Sequence, residues 1–343
     1  MRAAVVQEVG KPLAIETVPD PKPAADQVIL EVSRCGICGS DLHITQFGFC
    51  PPGTILGHEF AGTIVEVGDD VRSGWKVGER VTALPLMPCS NCEYCDQGLH
   101  SLCHANRFVG TALNTPGAYA EYVAVRADML QRLPTGVGFD EGAMVEPLAV
   151  AYHAVDRGEP RRDTNVLVIG AGPIGLGAAL FARLRGARNV VVSEFAPERR
   201  KRALDMGATH VIDPKSETVA ERFAEIAGGA PDMVIECVGV PGLIQQSINL
   251  VRPRGRVVVV GVCFEADTIQ PMSAISKEAD IVFAQCYTPR DFGAVIDAIA
   301  VGAAKPQPML TETVGFDALP ERFESLRTPS TQCKILIDPA LNR

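Results

Sequence analysis

Four cysteines, Cys89, Cys92, Cys95 and Cys103, stand in the stretch PCSNCEYCDQGLHSLC with gaps of two, two and seven residues. Four thiolates that close in sequence can complete a tetrahedral zinc ion and leave no coordination position open, so the chemistry expected here is structural. Free thiols or two disulfides are the ordinary alternative, but adjacent CxxC steps suit a metal better than bridges. A DNA-binding zinc module is disfavoured, because Glu93 and Asp96 lie inside the cluster and no basic helix flanks it.

A second set of ligand-type residues precedes it. CGICGSDLH supplies Cys35, Cys38, Ser40, Asp41 and His43, and GHE supplies His58 and Glu59. Thiolate, imidazole and carboxylate together suit zinc, and a site with three protein ligands keeps a position open for a substrate oxygen. Taken singly these residues say less: Cys35 fits a small buried hydrophobe equally well.

Dinucleotide chemistry is written further on. VLVIGAGPIGLGAAL carries Gly170, Gly172 and Gly175 in G-x-G-x-x-G order, with Pro173 and Ile174 between the last two, directly after an apolar strand and before a helix. The first glycine permits the tight turn, the second lets the backbone approach a pyrophosphate, and the third lets helix pack on sheet. Glu194 follows the next strand, 24 residues beyond Gly170. A carboxylate there binds the ribose hydroxyls of NAD and repels a 2′-phosphate, so NAD is the expected cofactor. Arg199, with Arg200 and Lys201, is a basic cluster that could meet a phosphate, although most such clusters are a solvated helix face.

These residues need two kinds of scaffold. Up to about residue 150 the chain shows short strand-like runs, Val28 to Val32, Gly62 to Val67 and Arg80 to Ala83, broken by Gly and Pro, the pattern of a β-rich domain with long loops. From Asn165 six strand-like runs alternate with helical stretches: Val166 to Ile169, Val190 to Ser193, His210 to Ile212, Met233 to Glu236, Val257 to Gly261 and Ile281 to Ala284. That alternation predicts a doubly wound parallel sheet, giving an α/β protein. A helical stretch, Phe292 to Val301, and a last apolar run, Lys334 to Ile337, are placed back on the first domain. The expected boundaries are 1–154 with 290–343, and 155–289.

Composition agrees with a globular enzyme of small molecules. The 343 residues are 47% hydrophobic and carry a formal net charge of −9, which repels nucleic acid and anionic membrane. MRAAVVQEVG has no basic region followed by a long apolar run, so no signal peptide is expected, and no apolar run is long enough to span a bilayer. Eleven cysteines, five of them assigned to metal, point to a reducing compartment, the cytoplasm.

In their order, CGxCGSDxH, GHE, the four-cysteine loop, G-x-G-x-x-G and MVEPLAVAYHA make the chain similar to the zinc-dependent medium-chain alcohol dehydrogenase family over essentially its whole length. The resemblance implies a GroES-like catalytic domain built from both ends of the chain, an inserted Rossmann domain, an active site in the cleft between them, and two zinc ions, one catalytic and one structural. Cys38 and His58 match two catalytic zinc ligands. Where the ethanol-oxidising branch has a cysteine, this chain has Glu146, as do the sorbitol, threonine and butanediol dehydrogenases; in those relatives Glu59 or the glutamate matching Glu146 holds the metal directly or through water. Asp41 matches the acid that orients the ligand histidine. Ser40 and His43 match the relay that carries the alcohol proton out.

The same resemblance implies hydride transfer between an alcohol or ketone and NAD, and a dimer or tetramer. The competing classes are the zinc-free quinone and enoyl reductases and a non-enzymatic cofactor-binding protein; intact Cys38, His58 and Glu146, with Glu194, argue against both. Within the branch, Tyr287 matches a tyrosine of the sorbitol enzymes, but the arginine before it is Cys286 here. With Phe47 and Phe49 in the loop after His43, the expected substrate is a secondary alcohol or small vicinal diol, the alternatives being a polyol or L-threonine.

Overall fold

The computed structural model describes residues 1–328 and 331–341. The chain divides into two compact units, Met1–Glu146 with Thr288–Val301 and the segment from Leu310 onward, and Pro147–Tyr287 with Gly302–Met309. The expected cut at 154/155 falls inside a single helix, Phe139–Gly158, which runs through the division at 146/147. Its later turns belong with the second unit for a steric reason: a Cβ on Gly177 would stand 2.6 Å from the Cβ of Ala151, so the two helices meet closely there.

The first unit is organised around one long strand, Gln27–Gly36. Alternating apolar residues turn Val28, Leu30 and Val32 into the core, which also holds Phe60, Ile64, Val81 and Ile335. The strand order is Leu310–Val314, Lys334–Ile337, Gln27–Gly36, Glu59–Val67, Arg80–Ala83, Leu130–Arg132. Tyr122–Arg126 pairs with the first half of Gln27–Gly36 and Lys334–Ile337 with its end, Leu336 opposite Gly36 and Ile337 opposite Cys35. On the other side Gly36 faces Glu59 directly. A Cβ on Gly36 would stand 2.0 Å from Glu59 Oε2, so glycine makes room for that carboxylate.

The second unit is a six-stranded sheet in the order His210–Ile212, Asn189–Ser193, Asn165–Ile169, Met233–Glu236, Arg256–Val259, Asp280–Phe283, every pairing parallel. The strand leading into the glycine loop is central, and the order reverses beside it, which is where doubly wound sheets receive their ligands. Valines fill both faces because helices cover both. The fifth strand stops at Val259, short of the expected Gly261: the amides of Val260 and Gly261 both donate to the Glu236 carbonyl, each at 3.0 Å, and turn the chain away.

Candidate metal centres and dinucleotide site

The cysteine loop is held by local geometry. Cys92 caps the short helix Glu93–Asp96, and backbone amides of that turn, Cys95 foremost, bring the Cys92 thiol down to about 6. Cys92 and Cys95 sulfurs stand 3.6 Å apart and Cys89 and Cys95 sulfurs 4.0 Å, while the Cys89 amide donates to Cys103 Sγ at 3.3 Å. Tetrahedral zinc with bonds of about 2.3 Å spaces its sulfurs roughly 3.8 Å apart, so the four residues fit that ion. Sulfur separations of 3.6 and 4.0 Å are far beyond a disulfide bond.

The second cluster joins two elements. Cys38 caps the helix Gly39–Phe47, which carries Ser40, Asp41 and His43, and His58 leads into the strand beginning at Glu59. One ligand atom each from Cys38, His58 and Glu59 lies within 4.8 Å of the others. Asp41, fully buried, fixes the arrangement: its Oδ2 accepts from the Cys38 amide at 3.2 Å and from the Tyr119 hydroxyl at 2.7 Å, and its Oδ1 faces His58 Nδ1 at 3.3 Å. With Nδ1 turned to Asp41, the imidazole offers Nε2 toward Cys38, and Ser40 Oγ lies 3.5 Å from Nε2 and 3.2 Å from Cys38 Sγ. Burial disfavours a charged His58, yet Asp41 and Cys38 outweigh it and hold the ring's pKa well above its ordinary value. A pocket that favours a proton on that ring also favours a metal cation there. The donor set and its orientation fit zinc.

Glu59 is 1% exposed and accepts from Lys334 Nζ through both oxygens, at 2.7 and 2.6 Å. Burial works against the Lys334 ammonium, but Glu59 raises its pKa above the usual value. Glu146 is buried on the helix Phe139–Gly158 and stands outside the Cys38, His58 and Glu59 group. Cys35 is fully buried, and burial raises its thiol well above the ordinary range, as suits a packing residue.

His43 follows Ser40 by three residues on the same helix, so the two share a face. Burial first and the Arg327 guanidinium second lower its pKa. Arg327 also ties the helix down, donating to the Leu42 carbonyl and to Thr45 Oγ1, each at 2.9 Å. Phe47 and Phe49 are exposed, with ring centroids 5.7 Å apart, rather than part of the core.

At the glycine loop, Gly170 has φ +93°, which favours glycine, and its amide donates to the Ser193 carbonyl at 2.9 Å. Gly172 caps the helix Pro173–Leu184, and a Cβ there would meet nothing within 4 Å, so the loop is open at this position. A Cβ on Gly175 would stand 2.0 Å from the Gly170 carbonyl oxygen. Glu194, 9% exposed, accepts from the amides of Ala171 and Ala196, both at 2.8 Å, which aims its carboxylate across the loop. Arg199 and Arg200 lie on the helix Pro197–Asp205. Arg200 is committed to the Glu194 and Phe195 carbonyls and to Asp213, 3.2 Å away. Such a loop fits a dinucleotide pyrophosphate.

Sequence motifs pointed to none of Lys334, Tyr119 and Arg327. The available signals were a lone lysine opening the apolar run KILI and a tyrosine inside the apolar stretch AYA.

Residues 24–135 match the alcohol dehydrogenase GroES-like domain and residues 173–301 the zinc-binding dehydrogenase domain. The (R,R)-butanediol dehydrogenase of Bacillus subtilis (strain 168) is 34% identical over 345 residues, covering 96% of this chain and 97% of that one. The sorbitol dehydrogenase of Gallus gallus is 34% identical over 335 residues, covering 95% and 93%. A structure from Sinorhizobium meliloti 1021, described as that of a zinc-binding dehydrogenase bound to NADP, superposes with a TM-score of 0.91 at 32% identity, covering 98% of this chain and 99% of that one. The chain belongs to the zinc-dependent medium-chain alcohol dehydrogenase family. It is an NAD-dependent oxidoreductase of CH–OH donors, and no helix among the described residues is long and apolar enough to cross a membrane.

Proposed function

We propose that this enzyme oxidises a secondary alcohol or small vicinal diol to the ketone with NAD. The observation that carries it is the Cys38, His58 and Glu59 group, three donors of types that leave zinc an open position. Cys38 and His58 would hold the ion, with Glu59, whose carboxylate lies within ligand distance of them, as the third donor in preference to Glu146. When bound, zinc supplies Lewis acidity toward the substrate oxygen. Asp41 keeps His58 in the ligating tautomer. Ser40, beside both ligands, takes the alcohol proton while giving up its own hydroxyl proton, and His43, three residues further along the same helix, is the base that receives it and passes it toward solvent. Gly170, Gly172, Pro173, Ile174 and Gly175 seat the pyrophosphate and Glu194 the ribose hydroxyls, which favours NAD over NADP; Arg199 contributes charge at the rim. Cys89, Cys92, Cys95 and Cys103 hold a structural zinc, and the working form is a homo-oligomer in the cytoplasm.

Tyr287 matches the sorbitol-enzyme tyrosine, but its neighbour is Cys286 where those enzymes have an arginine. A polyol pocket needs several hydrogen-bond partners. Exposed Phe47 and Phe49 favour an apolar substituent instead. Elemental analysis should give two zinc ions per chain, and a kinetic panel should rank butanediol and simple secondary alcohols above sorbitol and xylitol. One zinc or none would refute the metal reading, and a sugar alcohol ahead by about tenfold in kcat/KM, or about 1.4 kcal/mol, would refute the substrate reading.

A further inference from the structure

Lys334 is the one cation among the described residues whose ammonium is buried against a candidate metal ligand. It opens the strand Lys334–Ile337, and the pairing of that strand with the end of Gln27–Gly36 delivers its Nζ to Glu59 and to the Ile37 carbonyl, 2.9 Å away. Three ammonium protons meet three oxygens, so the group is fully satisfied. A fold does not need such a pair for stability, since apolar residues of similar volume commonly do as well as a buried ion pair. The location gives it another use. A divalent ion between Cys38, His58 and Glu59 would have three anionic groups around it, the Cys38 thiolate, the Glu59 carboxylate and, behind His58, the Asp41 carboxylate. Those charges together exceed that of the ion, and an over-neutralised metal is a poor Lewis acid.

We propose that Lys334 is a positioning residue of the metal centre: by engaging both oxygens of Glu59 it keeps that carboxylate a weak, exchangeable donor and preserves the metal's affinity for a substrate oxygen. This rests on the assignment of Cys38, His58 and Glu59 as a metal site. The strand supplies rigidity, because Lys334 cannot follow Glu59 toward the metal without breaking its bond to Ile37. Gly36, with no side chain, leaves room beside the Glu59 carboxylate, so the ammonium rather than steric confinement restrains it.

The test compares the full-length wild type with Lys334→Met and with the neutral pair Glu59→Gln/Lys334→Met. Wild-type zinc content is measured first, and fewer than two ions per chain would refute the metal assignment itself. Zinc release to a chromophoric chelator and the visible spectrum of the cobalt-substituted protein are then followed. Lys334→Met should release the open-site zinc at least about tenfold more slowly, with a shifted cobalt spectrum and a lower kcat, the scale expected when a ligand's outer partner is lost. The neutral pair should lose the tighter binding. Release from Lys334→Met at the wild-type rate or faster, with an unchanged cobalt spectrum, would overturn the proposal. Should Lys334→Met not fold, Lys334→Gln, which keeps a donor to Glu59 without the charge, takes its place: slower release with a shifted spectrum supports the proposal, and wild-type release with an unchanged spectrum overturns it.

Discussion

Gly172 and Gly175 sit three residues apart in one loop, yet the same substitution should damage different properties. Gly172 has φ −72°, accessible to any residue, and nothing within 4 Å of an added Cβ, so Gly172→Ala strains no part of the fold. The new methyl would instead enter the open space at the loop, and if it displaces a pyrophosphate from one charge-assisted hydrogen bond the loss is about 1.5–3 kcal/mol, roughly ten- to a hundredfold in NADH affinity. At Gly175 the methyl would stand 2.0 Å from the Gly170 carbonyl oxygen, well inside contact distance, and the neighbouring atom is backbone. Loop and helix must separate, at about 1–3 kcal/mol for overpacking of this kind. For a domain of this size that lowers the midpoint of thermal unfolding by roughly 2–4 °C per kcal/mol. Fluorescence titration with NADH and thermal scans of the free enzyme separate the outcomes. Wild-type NADH affinity in Gly172→Ala, or an unchanged unfolding midpoint in Gly175→Ala, would refute the assignment of these glycines.

Glu194→Ala should lower kcat/KM for NAD by about tenfold or more while raising it little for NADP, because Arg200 is already held by two carbonyls and Asp213; a large NADP gain would show that this arginine swings free. Arg327→Met removes the second cause of the depressed His43 pKa, so the pKa should rise toward the ordinary value of about 6.5. A higher pKa keeps the base protonated to higher pH, so the acid limb of the kcat/KM profile should move up in pH, whereas an unmoved limb would remove His43 from the proton path.

What could be read from the sequence was what is local along it. The four cysteines lie within fifteen residues, and the glycine loop with Glu194 spans a single strand–helix–strand unit, so spacing alone nearly determined their geometry. The strands of the second unit matched their apolar runs because a sheet covered on both faces is written as continuous valine and isoleucine. The apolar run Lys334–Ile337 was also visible, but its first residue could not be connected to Glu59 without knowing the strand order. Tyr119 was hidden for the same reason, its hydroxyl reaching Asp41 across 78 residues. Sequence left Glu59 and Glu146 level as metal ligands; the pairing of Gly36 with Glu59 is what brings the former beside Cys38 and His58.

The distance along the chain between Glu59 and Lys334, 275 residues, orders events during synthesis. The cysteine loop has all its ligands within reach as soon as Cys103 is made, 14 residues after Cys89, and can take up zinc while the chain is still growing. Glu59 waits for its counter-ion until the whole nucleotide unit has been translated, roughly 15–55 s at 5–20 residues per second. Through that interval the Glu59 carboxylate lacks the ammonium that engages both of its oxygens in the finished protein. On the proposed assignment, the open centre is complete only when the last strand joins the sheet, and a chain truncated before Lys334 should keep zinc at the four cysteines while binding metal abnormally at Cys38, His58 and Glu59.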